Sequence, residues 1–231
     1  MLVTTKAIGL RAIAHGDRTV VLKAWTAHAG AMGFVVRLSK GGAARAALQP
    51  LARIEVVADV RPDRELHPVR ELRVDEPYSR IPFDPVRGAL LLFAQELFGK
   101  VLRAEGPDAE LDAAARAALH AIDADERLAW MPQRLLIGLS GPLGFRPEPP
   151  REGEDHFDLE EGRFVPRGAR HGHLLAPPLS GLLAGLLLGN EPVAPAHQRR
   201  ALLDHLLLYY RLHIEGMDEL RSPAMLHEVL R

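Results

Sequence analysis

The sequence predicts an α+β chain in which a small five-stranded β-barrel, residues 1–80, precedes an α-helical domain, residues 81–231. Short β-like segments separated by Gly- or Pro-containing breaks fill the first third. After Pro77, Pro82 and Pro85 the hydrophobic period turns helical, and 47% hydrophobic content is enough to bury a core in each part.

The strands are expected at 5–10, 19–26, 34–38, 51–58 and 68–74. Gly16-Asp17 and the 28–33 stretch read as hairpin turns, because Gly accepts the positive φ that such turns demand. Gly41-Gly42-Ala43-Ala44 reads as a loop or a short helix start. Five strands in this length fit an OB-fold, and strand counting leaves an SH3-like barrel open.

Asp84-Pro85 supplies an N-cap and a first-turn proline. Leu90, Leu91, Phe93, Ala94, Leu97, Phe98, Val101 and Leu102 then recur at steps of three and four, one broad buried helical face. Further helices are expected at 110–123, 128–143, 179–188, 196–214 and 223–230, the last with Ser222 as N-cap and Pro223 behind it. Residues 144–178, rich in Pro, Gly and charge, read as an irregular insertion.

Charge is balanced overall, 29 Lys+Arg against 30 Asp+Glu, but not along the chain. Residues 1–54 hold eight basic residues (Lys6, Arg11, Arg18, Lys23, Arg37, Lys40, Arg45, Arg53) and one acidic residue, Asp17, a local +7. Such a surplus costs self-repulsion on folding and points to an anionic partner such as nucleic acid. Zero Cys excludes disulfides, thiolate nucleophiles and Cys-ligated metal. The N-terminus lacks signal-peptide features. The longest apolar run, 174–189, is broken by Pro177-Pro178 and too short to span a membrane, so a cytoplasmic protein is expected.

Catalytic motifs are missing. Gly138-Leu139-Ser140-Gly141-Pro142 has Pro142 where a nucleophile elbow needs Gly, and it falls near a helix end. No phosphate-binding Gly-rich motif occurs, so nucleotide hydrolysis and dinucleotide redox chemistry are disfavoured. His171-Gly172-His173, with His156 and Asp158 upstream, matches no zinc spacing; no metal or other cofactor is expected. Gly181, Gly185 and Gly189 at four-residue steps suggest close helix packing, and the acidic groups at 123–126 and 160–161 a solvated surface.

Several segments in order resemble the RecO family of bacterial recombination mediators. They are Ala7-Ile8-Gly9-Leu10-Arg11, Gly16-Asp17, Val21-Leu22-Lys23-Ala24-Trp25-Thr26 with Gly30, Leu48-Gln49-Pro50-Leu51, and Leu66 with Glu71. In the second part the resemblance continues through 93–105 with Glu110-Leu111, Leu143-Gly144-Phe145-Arg146-Pro147, residues 157–164, and Arg221-Ser222-Pro223 with Leu226. Two departures stand out. The two Cys pairs that hold zinc in many members are absent, and the basic loop, residues 37–45, is less basic than usual.

The resemblance implies a non-enzymatic protein that binds single- and double-stranded DNA and anneals complementary strands. It also implies a partnership with RecR that loads RecA onto DNA coated by single-strand-binding protein. Within it, the expected DNA contacts are Arg37, Lys40 and Arg45, supported by Arg11, Arg18 and Lys23, with Arg199 and Arg200 as candidates for the acidic tail of single-strand-binding protein. The alternative is a protein-binding adaptor whose barrel is only a scaffold. Trp25 and Phe34 are the only aromatic residues before Tyr78, so phosphate neutralisation should dominate over base stacking and make binding salt-sensitive.

Overall fold

The computed structural model describes residues 1–38, 43–104, 106–167, 172–217 and 220–230. The chain divides into two units, Met1–Leu119 and His120–Arg231. The first holds strands β1 (Leu2–Ala14), β2 (Thr19–Thr26), β3 (Gly30–Arg37), β4 (Arg53–Asp59) and β5 (Leu66–Glu76), with a short helix α1 (Ala43–Ala47) ahead of β4. The strands close in the order β1-β2-β3-β5-β4, antiparallel except for the β3–β5 pair, an OB-fold-like barrel. Side-chain alternation sends Leu22 and Ala24 of β2, Phe34 and Val36 of β3, and Ile54, Val56 and Ala58 of β4 into one core.

β2 coincides with its expected span, whereas β1 is longer because it serves two neighbours. Its first half, Leu2 to Ile8, pairs with β4, and its second half, Ala7 to Ala14, pairs with β2. The segment before β4 does not run as strand. Leu51 adopts a left-handed φ of 51°, and its N–H donates to the Gly9 carbonyl at 2.9 Å while Gly9 N–H donates to Ala52 O at 3.0 Å. The Tyr78 hydroxyl then donates to Leu51 O at 2.6 Å, so the Leu48–Leu51 motif is a buried clasp on the barrel.

Helix α2 (Pro85–Val101) starts as its sequence predicts: the Asp84 carboxylate accepts the N–H groups of Val86 (2.9 Å) and Arg87 (3.4 Å). It lies against β1, where Gln95 Nε2 donates to Leu10 O at 3.1 Å. Beyond it, Ala31 N–H donates to Ala104 O, and Gly30, at φ 66°, sits so close that a Cβ would come within 2.3 Å of that oxygen. Secondary structure changes near residue 80, but α2 and most of α3 (Ala109–Ala124) belong to the barrel's unit.

The second unit contains α4 (Met131–Ser140), α5 (Leu179–Leu187), α6 (Ala196–His213) and α7 (Ser222–Val229). The 144–178 insertion is more ordered than its composition suggests. It holds a three-stranded sheet of β6 (His156–Asp158), β7 (Arg163–Val165) and β8 (Leu174–Leu175), in which buried Phe157 pairs with Phe164 and Leu175. Tyr210 ties α6 to α4 by donating to Leu136 O at 2.6 Å; burial pushes its hydroxyl pKa up, so it remains a donor.

Local expectations fail in three places. Ser222 is the first residue of α7 rather than its cap; Arg221 occupies the cap position and no side-chain cap bond forms. The glycine stripe is no packing face: Gly181 faces open space, Gly185 meets Pro192, and Gly189 ends α5 at φ 79°. Asp123 is buried and Asp125 pairs with Arg134 at 2.8 Å, so that acidic cluster is not simply solvated. Among the described residues, no helix is long and apolar enough to cross a membrane.

Candidate nucleic-acid interface

The eight N-terminal cations separate into distinct environments. Lys6 pairs with Asp75 at 2.9 Å, and this carboxylate raises the Lys6 pKa. Arg53 is buried, 3.0 Å from Glu76, donating to the Glu76 and Pro77 carbonyls and lying 4.7 Å over the Tyr78 ring. Both are engaged by carboxylates of the barrel itself. Arg11, Arg18, Lys23, Arg37 and Arg45 are exposed and form no ion pair among the described residues. Lys40 lies outside the described residues.

Strand register brings three of these five to one face. A β-bulge between Gly9 and Arg11 inserts Leu10, and its effect is to set Arg11 directly opposite Lys23 instead of opposite the core residue Leu22. Lys23 alternates with buried Leu22 and so points outward. Four residues back along β2, Thr19 pairs with Arg37, and Leu38 N–H donates to Arg18 O at 2.8 Å. The outer face of β1-β2-β3 therefore carries Arg11 and Lys23 at one level and, two levels further along, Arg37 opposite Thr19; exposed Arg18 lies in the turn just before β2, outside this alternation. Like charges placed opposite each other across strands repel, so the face is electrostatically unsatisfied until an anion covers it. Arg45 stands apart on α1, which packs on β5. Arg70, absent from the sequence-based set, is exposed at the bulge in β5 where the register with β4 shifts. Its signal was the β5 bulge, which only pairing reveals.

Trp25 and Phe34 are both fully buried and cannot stack on a base. Phe34 instead packs edge-on against His67, whose pKa is lowered by burial.

In the second unit, Arg199 donates to Ala194 O (2.7 Å) and Leu230 O (3.3 Å), which fastens the end of α7 to the start of α6 and commits its guanidinium to backbone carbonyls. Arg200 has no hydrogen-bond or ion-pair partner among the described residues and lines a shallow groove with Ala129, Pro132, Leu203, Leu226 and Leu230. The positions that could invite catalysis are engaged structurally. Ser140 is buried at the end of α4, donating to Ile137 O at 2.8 Å. His156 pairs with Asp155 at 2.6 Å and His173 with Glu160 at 2.8 Å, while Asp158 accepts the Glu160 and Glu161 N–H groups; His171 lies outside the described residues. Among the described residues, no three His, Asp or Glu side chains are grouped to hold a metal ion. A cleft of about 520 Å³ in this unit is walled by Arg134, salt-bridged to Asp125 and Glu191.

Residues 1–78 match the family model described as the recombination protein O N-terminal domain. Over nearly the whole chain there is similarity to proteins named DNA repair protein RecO. That of Porphyromonas gingivalis is 29% identical with 98% of each chain covered. Those of Bacteroides fragilis and Christiangramia forsetii are 28% and 27% identical with 99% of each covered. The matched N-terminal domain coincides with the closed barrel, and the similarity to RecO proteins runs on through the helical unit of this cysteine-free chain.

Proposed function

We propose that this chain acts in DNA repair and recombination as a non-enzymatic mediator, binding single- and double-stranded DNA through the outer face of β1-β2-β3. The observation that carries this reading is the set of exposed cations without ion-pair partners among the described residues, Arg11, Lys23 and Arg37 on this face with Arg18 in the turn beside it. Each can neutralise a phosphate, and none reads a base edge, so binding is sequence-independent and falls steeply with salt. Annealing follows from the same property, because two complementary strands held by their phosphates leave their bases free to pair. Arg45, on α1, is a further exposed cation apart from this face. As the similarity to RecO proteins suggests for a member of that family, the protein works in the cytoplasm with RecR to place RecA on strands coated by single-strand-binding protein. The groove at Arg200 takes that protein's acidic, apolar tail, its guanidinium meeting carboxylates above an apolar floor.

The test is a titration of a fluorescent single strand and its duplex across salt concentrations. Steep negative slopes of log K against log[salt] support the reading, and absence of binding at low salt would overturn it in favour of a protein adaptor. A tail-peptide titration separates the second site: Arg200→Glu abolishes binding, while Arg11→Ala/Lys23→Ala leaves it intact.

A further inference from the structure

The cation-bearing face is not uniformly polar. Between its two basic levels, Ile13 lies opposite Val21, Val21 opposite Val35, and Val35 opposite Pro68 of β5. Ile13 is 38% exposed, Pro68 is exposed, and Val21 and Val35 are partly so. These residues form one apolar row across four strands. On one side the next outward level holds Arg11 and Lys23, and on the other Thr19 and Arg37. Each level stands two residues, about 7 Å, from the row. Two acidic residues border the face, Asp17 in the β1–β2 turn and Glu65 just ahead of β5, the Glu65 carbonyl lying against Gly33.

Single apolar residues on an outer sheet face need no explanation beyond β-propensity. A continuous row flanked by cations without ion-pair partners does, because it combines two surfaces that suit different parts of one ligand. A B-form duplex presents phosphates and sugars outward, and a four-stranded face is too broad for its grooves, which admit at most a helix or a two-stranded ribbon. Pressed onto this row, a duplex would desolvate its phosphates against hydrocarbon. An unpaired strand differs, since its bases are free to lie flat on apolar surface while its phosphates turn to cations on either side.

Building on the proposed DNA-binding face, we infer that the Ile13–Val21–Val35–Pro68 row is a base-contacting strip that makes the face favour unpaired over paired DNA. Aliphatic contact distinguishes no base, so the preference is for strandedness and not for sequence.

The experiment compares full-length protein variants on a fluorescent oligothymidylate and on a duplex of equal length. Val21→Thr/Val35→Thr keeps the side-chain shape and strand propensity and so keeps the fold, which a melting curve checks. It lowers single-strand affinity about fivefold, leaves duplex affinity within about twofold and leaves the salt slope unchanged. Val35→Tyr, which offers an aromatic platform, raises single-strand affinity selectively. Lys23→Ala/Arg37→Ala weakens both substrates and flattens both slopes. If the cation variant weakens binding while the threonine variant changes nothing, or weakens both substrates equally, the strip is refuted and the basic face stands. If the cation variant itself changes nothing, the face is misplaced and both readings fall.

Discussion

The barrel carries cations on two sides and treats them oppositely. Where the first half of β1 meets β4 and β5, four cations have a carboxylate beside them: Lys6 with Asp75, Arg73 with Glu55 at 2.6 Å, Arg61 with Asp59 and Arg53 with Glu76. Where the second half of β1 meets β2 and β3, Arg11, Lys23 and Arg37 face outward and form no ion pair among the described residues. The chain thus has carboxylates to spare on one side and withholds them from the other. Lys and Arg count alone does not mark a phosphate-binding surface; what marks it is positive charge left without internal partners. The paired side stabilises the barrel, and the unpaired side stores repulsion that an anionic ligand relieves.

The comparison can be broken most decisively by Arg11→Ala/Lys23→Ala/Arg37→Ala. This variant should keep its melting temperature, lose about two orders of magnitude in single-strand affinity at low salt, and flatten the salt slope by about two units. An unchanged slope would move the site elsewhere. Next in size is Arg53→Ala on the paired side, which removes the cation that ties β4 to Glu76, Pro77 and Tyr78. Denaturant unfolding should register a loss of about 2 kcal/mol, with DNA affinity of the folded protein nearly unchanged.

Lys6→Ala/Arg73→Ala sharpens the contrast, because both residues are exposed yet ion-paired. The salt slope should stay at the wild-type value, and a slope flattened by more than half a unit would show that pairing does not exclude phosphate contact. The smallest effect concerns His67, buried in the barrel beside Phe34. Burial holds its folded pKa below the ordinary 6.5, and the Asp59 charge opposes this weakly. Between those two values the unfolded chain binds the extra proton, so stability falls as pH drops below 6.5 and stops falling once the lowered folded value is passed. Unfolding curves at several pH values should lose this component in His67→Phe.

Residue by residue, legibility followed the range of the interaction. Asp84-Pro85 caps α2 as read, since an N-cap involves groups two and three residues away. The span of β2 was legible because a β-branched and apolar run lies between two turn signals, Gly16-Asp17 and the 28–33 stretch. The Ser222 cap was not, because the chain enters α7 one residue earlier than the Ser-Pro pattern implies. The small sheet of β6, β7 and β8 was hidden in a Pro- and Gly-rich stretch, since strands of two or three residues exist only through their partners. For the site, the N-terminal surplus of charge was plain, but its division was not. Arg53 and Arg37 are alike as letters, and only the closing of the barrel buries one against Glu76 and leaves the other on an open face.

The sequence by itself determined the order of a barrel and a helical part, the starting point of α2 and the sign of the N-terminal charge. Each depends on composition or on residues within a turn or two of one another. Tertiary structure alone decided that Leu10 bulges so that Arg11 joins Lys23, that Arg199 is spent on the Leu230 carbonyl, and that Ile13, Val21, Val35 and Pro68 line up. Those outcomes depend on register between strands distant in the chain, where a shift of one residue turns every side chain to the opposite face.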